Sequence, residues 1–201
     1  MFFTAMFMLA MVLIKVQEST NDKSGLTPKG KLIIHLSWDP KSNTDLDLWA
    51  RTDNPVSIVS FRQTDSSNMW LDHDSRGAAS NKVKMADGTY KTTFGNDEII
   101  QFKECTKTRV TVNVHAYHLD LGLPVAATVD IILPPSYKTI HTAQLDIKVN
   151  GQESTAFSFD LDEDCNVSNF DDTLIPFVYS VITPNSSTLP GSPPYEQHGE
   201  Q

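Results

Sequence analysis

With 201 residues and a formal net charge of −9, and a pI near 5.0, the chain has room for one sandwich-sized domain plus appendages. No stretch clusters Lys and Arg densely enough to follow a phosphate backbone, which argues against nucleic acid as a partner. The two cysteines, Cys105 and Cys165, lie too far apart for a CxxC motif, and either one disulfide or two buried thiols fits them.

Residues 1–14 (MFFTAMFMLAMVLI) form an almost unbroken apolar run. As a helix this run would reach ~21 Å, short of the ~30 Å hydrocarbon core of a bilayer. Its length suits a signal-peptide core, yet no basic residue precedes it and no small-x-small cleavage site follows Ile14. The expectation is a hydrophobic helix anchoring residues 1–16 in a membrane, with Lys15 snorkelling and Val16 extending the span. A cleaved secretion signal is the alternative. The domain is then expected in the periplasm or outside the cell, although Lys15, Lys23, Lys29 and Lys31 would by themselves favour the cytoplasmic side. Residues 17–30 are polar, carry Gly25, Pro28 and Gly30, and read as a linker.

From residue 31 onward short alternating runs follow one another with turn residues between them. Leu32, Ile34, Leu36 and Trp38 share one face of a first strand. The turn formers at 40–44 lead to a second strand in which Leu46, Leu48 and Ala50 point one way and Asp45, Asp47 and Trp49 the other. Further strands are expected at residues 57–61, 68–72, 98–103, 108–117 and 125–133. Ala143, Leu145, Ile147 and Val149 lead to an Asn150-Gly151 hairpin turn and its return strand, residues 155–161. A last edge strand is expected at 174–181, and the Pro-, Ser- and Gly-containing stretch 183–201 reads as a disordered tail. Eight or nine strands with one-sided apolar faces need a partner sheet, so residues 31–182 are predicted to form an all-β, antiparallel sandwich.

Carboxylates concentrate at several turns and strand ends. Asp39 closes the first strand, Asp45 and Asp47 share a face of the second, Asp72 and Asp74 end another, and Gly95-Asn96-Asp97-Glu98 is an acidic turn. Neighbouring carboxylates repel one another, and a hard cation such as calcium, which takes ~6–8 oxygen ligands, is the simplest neutraliser. None of these turns matches the twelve-residue EF-hand loop, and acidic residues also cap turns without binding anything.

The order Leu36-Ser37-Trp38-Asp39, then Asp45-Leu46-Asp47-Leu48, then Leu71-Asp72-x-Asp74-x-x-Gly77, then a strand ending Val112-Asn113-Val114-His115-Ala116-Tyr117 resembles two groups. One is the calcium-binding β-sandwich of TerD-like tellurium-resistance proteins; the other is the YfaP-like bacterial domains. The resemblance covers about residues 32–117. It implies candidate calcium ligands at Asp39, Asp45, Asp47, Asp72, Asp74, Asp97 and Glu98. The chain departs from the TerD-like pattern at the acidic turn, where the Gly-rich Asp-Asn-x-Thr-Gly element is missing and Asn96 replaces an acidic residue. The apolar start also resembles the single membrane helix of the periplasmic partner in ion-driven motors, but lacks the proton-relay Asp of such helices.

Catalytic signatures are sparse. His115 and His118 fall on opposite faces of a strand, which makes them poor joint zinc ligands, and there is no nucleophile elbow, P-loop or dinucleotide fingerprint. Trp38 falls on a buried face, whereas Trp49 lies with the carboxylates and is predicted to be a partly exposed aromatic that contacts a partner. The sequence thus predicts a membrane-tethered, non-enzymatic, calcium-dependent module that binds a protein or glycan. The alternative is a structural subunit, a homo-oligomer within a membrane or phage-encoded assembly such as an ion-driven motor.

Overall fold

The computed structural model describes residues 30–182 apart from 87, 93 and 94. The anchor or signal expected at 1–16, nearly all of the linker, and the tail at 183–201 lie outside the described residues. Among the described residues no helix is long and apolar enough to cross a membrane.

The described chain is all-β, with twelve strands where eight or nine were expected. In chain order these are β1 (Leu32–Trp38), β2 (Asp45–Asp53), β3 (Val56–Val59), β4 (Met69–His73), β5 (Lys82–Lys84), β6 (Tyr90–Thr92), β7 (Asn96–Phe102), β8 (Thr108–His118), β9 (Val125–Leu133), β10 (Lys138–Ile147), β11 (Glu153–Leu161) and β12 (Val167–Asp171). One five-stranded sheet has the order β10-β9-β1-β7-β4 and the other β12-β11-β8-β2-β3, while β5 and β6 form a separate hairpin. Every paired strand is antiparallel.

The two sheets face each other through the alternating residues that period-2 patterning picks out. Leu32, Ile34, Leu36 and Trp38 from β1 meet Leu46, Leu48 and Ala50 from β2, and Val110, Val112, Val114 and Ala116 from β8 extend the same core. Phe157 and Phe159 of β11 fill the side opposite β2. Val149, expected to point inward, is instead 60% exposed, because β10 ends at Ile147 and the following residues turn through Gly151 at φ +76°.

Two further features lie outside the paired strands. The Cys105–Cys165 disulfide ties the β7–β8 connection to the β11–β12 turn. The segment expected to be an edge strand at 174–181 ends instead in a short helix, α1 (Val178–Ile182), and β12 takes the edge. Pro176 explains part of this, since proline cannot donate to a strand ladder. The segment lies over the outer face of the second sheet. Glu153 Oε1 accepts the backbone N–H groups of Phe177 at 2.7 Å and Val178 at 2.9 Å, and Asn113 Nδ2 donates to the Ile175 carbonyl at 2.9 Å.

That cover corrects the reading of Trp49. Its side chain does point away from the main core, as the alternation requires, but it is 0% exposed. Phe61 and Phe177 stand edge-on to its ring, with centroids 5.9 and 6.4 Å away, and Val178 belongs to the same small cluster. Trp49 is a second-core residue and offers no partner-binding surface.

Candidate metal centre

The ladder between β2 and β3 runs only from the Ala50–Val59 pair to the Asp53–Val56 pair. The first half of β2, which holds Asp45 and Asp47, therefore has no β3 neighbour at its free edge. Glu98 fills that gap from the other sheet. On β7 the inward positions are Asn96, Glu98, Ile100 and Phe102, so the same alternation that buries Ile100 and Phe102 also buries Glu98, which is 0% exposed. Its Oε2 accepts the Leu48 backbone N–H at 2.7 Å, in place of a strand partner. Its other oxygen, Oε1, is buried and accepts no N–H among the described residues, although the Asp74 carboxyl lies close enough to Glu98 to share a proton with it; Asp45 Oδ1 is buried and likewise accepts no N–H.

One carboxylate oxygen each from Asp45, Asp47 and Glu98 lie within 4.8 Å of one another. Asp47 is 4% exposed, and its Oδ2 lies 3.1 Å from His115 Nδ1. Asp47 and His115 are direct register partners on β2 and β8, which is why the imidazole reaches the carboxylate. Burial, with the neighbouring charges of Asp47 and Asp74 added, pushes the Asp45 carboxyl up to about 7. Burial also raises Asp47, although the hydrogen bond and charge of His115 pull it partly back. Glu98 is driven well above the ordinary carboxyl range by burial, and the Leu48 N–H recovers only part of this. Protons or a cation must satisfy such a group of acids.

Four of the seven predicted ligands gather here, through two strands and one irregularity. Asp45, Asp47 and Glu98 form the close group, and Asp74 stands within electrostatic reach of all three. Asp72 and Asp74 were expected on one side, but the β4–β7 register shifts between Leu71 and His73. A bulge of this kind inverts the alternation beyond it. Asp72 remains on the outer side, accepting from Gln101 Nε2 at 2.8 Å and Trp70 Nε1 at 3.3 Å. Asp97 is one position out of phase with Glu98 and lies 3.6 Å from His35 Nε2. Asp39 is an exposed turn residue: its Oδ1 accepts the Lys41 N–H at 2.9 Å, and its carbonyl accepts from Asn96 Nδ2 at 2.6 Å.

The loops around the group are tightly fitted. A Cβ on Gly77, at φ +84°, would come within 2.8 Å of the Asn43 backbone, so only glycine allows the loop after β4 to lie against the turn before Asp45. Asn96 Nδ2 also donates to the Ser42 carbonyl at 2.7 Å. Asn96 thus serves as a loop brace. His115 was missed as a site residue because the sequence shows its strand face but not its cross-strand partner.

All the donors of the close group are hard oxygens, which suit calcium, magnesium or manganese better than zinc. Three carboxylate oxygens fill only part of a calcium shell, leaving positions for Asp74, water or a ligand. No family model matches the chain, and neither a curated protein nor a solved structure does.

Proposed function

We propose that this protein is a non-enzymatic, membrane-tethered β-sandwich module, and that a calcium-class cation organises the ligand-presenting end of its second sheet. One observation carries the reading: Glu98, fully buried, brings a carboxylate oxygen within 4.8 Å of oxygens of Asp45 and Asp47. Burying three carboxylates together costs far more than their hydrogen bonds return, and a divalent ion offsets that cost. His115 supports the same role by fixing one Asp47 oxygen and leaving the other for the ion, the arrangement that outer partners of metal ligands adopt.

Two further features fit presentation outside the cytoplasm. A disulfide persists in oxidising compartments. The chain enters β1 at Leu32, and β1 runs from there to the turn before Asp45. An anchor preceding β1 would thus leave the acidic end facing away from the membrane. The test is thermal melting of the protein with calcium, with magnesium and with chelator. Calcium raises the melting temperature of the wild type, and Ala at both Asp45 and Asp47 abolishes the rise. A rise that survives the double substitution would place the ion elsewhere.

A further inference from the structure

The acidic group lies beside an exposed aromatic ring and an arginine that forms no ion pair within 4.0 Å among the described residues. Tyr117, the extra residue where the β2–β8 register shifts between Asp45 and Leu46, is 62% exposed. Its ring stands edge-on to Phe61, with centroids 6.3 Å apart. The Arg62 guanidinium lies 5.5 Å from the Phe61 ring centroid, which places it at the same shelf. Phe61 also packs on Trp49, two residues from Asp47, which sets Arg62 and Tyr117 beside the acidic group. Arg62 is exposed and forms no ion pair within 4.0 Å among the described residues.

We propose that this shelf, with the cation held by Asp45, Asp47 and Glu98, binds a carboxylate-bearing saccharide of the uronate type. The inference rests on the cation reading and names the ligand of that same site. Calcium requires more oxygen donors than the three carboxylates offer, and sugar hydroxyls and a uronate carboxylate are hard oxygens of the right kind. Arginine matches a carboxylate through two parallel N–H donors, so Arg62 is suited to an acidic sugar and would gain nothing comparable from a neutral one. The exposed face of Tyr117 offers a flat surface for the apolar side of a sugar ring. A protein partner would call for a desolvated pocket to hold an anchoring side chain, and a single ring rimmed by charges is not such a pocket.

The two ligands are interdependent, because the ion whose shell the sugar oxygens complete is held by the three carboxylates. Sugar binding is therefore expected only in the presence of the cation.

The test is calorimetry on the full chain with a panel of carboxylate-bearing oligosaccharides of galacturonate, glucuronate and mannuronate types. Their neutral counterparts and an oligo-aspartate peptide serve as controls, each in calcium and in chelator. At least one acidic saccharide binds in calcium and not in chelator. The double variant Arg62→Ala/Tyr117→Ala weakens that binding by about tenfold or more while keeping the calcium-induced melting shift, which also reports that the variant is folded. If the melting shift is present but no acidic saccharide binds, or if neutral sugars or oligo-aspartate bind equally well, the saccharide inference is overturned and the cation reading stands. Absence of the melting shift in the wild type overturns both.

Discussion

Replacing Asp45 by Asn should make the cation-free protein more stable, by an amount that grows with pH. The unfolded chain loses the Asp45 proton near the ordinary 3.8, whereas the folded chain holds it to about 7. Between those values the folded state binds more protons, so stability falls as pH rises, and the loss is complete above the folded value. At ~1.4 kcal/mol per pH unit the displacement corresponds to ~4 kcal/mol, which solvent screening at a half-buried carboxyl reduces to ~2 kcal/mol. For a domain of this size ~2 kcal/mol is a change of ~4–8 °C in melting temperature. Urea unfolding in chelator should thus give Asp45→Asn the stability of wild type near pH ~4 and ~2 kcal/mol more near pH ~8. In calcium the order reverses, because a cation at ~100 times its Kd adds ~2.7 kcal/mol to the wild type and far less to the variant. An Asp45→Asn protein less stable than wild type in chelator at both pH values would show that the acids are not frustrated, and the argument for a cation would fail.

Other substitutions probe the supports of the site. His115→Phe removes the contact that orients Asp47 and should raise the calcium Kd by ~10–100-fold in calorimetry, with a smaller effect on unfolding. Gly77→Ala forces a Cβ against the Asn43 backbone; it should lower the melting temperature and weaken calcium binding together, because the loops on both sides of Asp45 must separate. Phe177→Ala uncovers Trp49 and should cost ~3–5 kcal/mol in urea unfolding, with a red shift in tryptophan emission. Opening the Cys105–Cys165 bridge, which spans 60 residues, with Ser at both positions should cost about 4 kcal/mol of stability on the loop-entropy model, measurable as a lower urea midpoint.

Much of the sandwich could be read from the sequence because period-2 alternation reports burial on one face directly. The strand expected at 125–133 has those bounds in the fold, and the strand expected at 108–117 differs by one residue at its end. Where outside partners decide, the alternation says less. It placed Trp49 correctly on the face opposite Leu48, but exposure depends on a segment more than a hundred residues later that folds across that face. The hairpin of β5 and β6 has only three residues in each strand, too few to show an alternation in sequence. The site was legible as a set of acids and illegible as a geometry. Asp97 and Glu98 are adjacent in sequence, and only the register of β7 against β1 decides that Glu98 faces inward. Asp72 and Asp74 look equivalent until the bulge in β4 separates them. Asp47 and His115 meet because β2 pairs with β8, a relation no local pattern encodes.

Calcium-soaked crystals measured at long X-ray wavelength test the central claim most directly. The account predicts one anomalous peak ~2.3–2.6 Å from oxygens of Asp45, Asp47 and Glu98, lost in crystals of Glu98→Gln. A peak at other residues, or none beside a Glu98 still buried against Leu48, would contradict it.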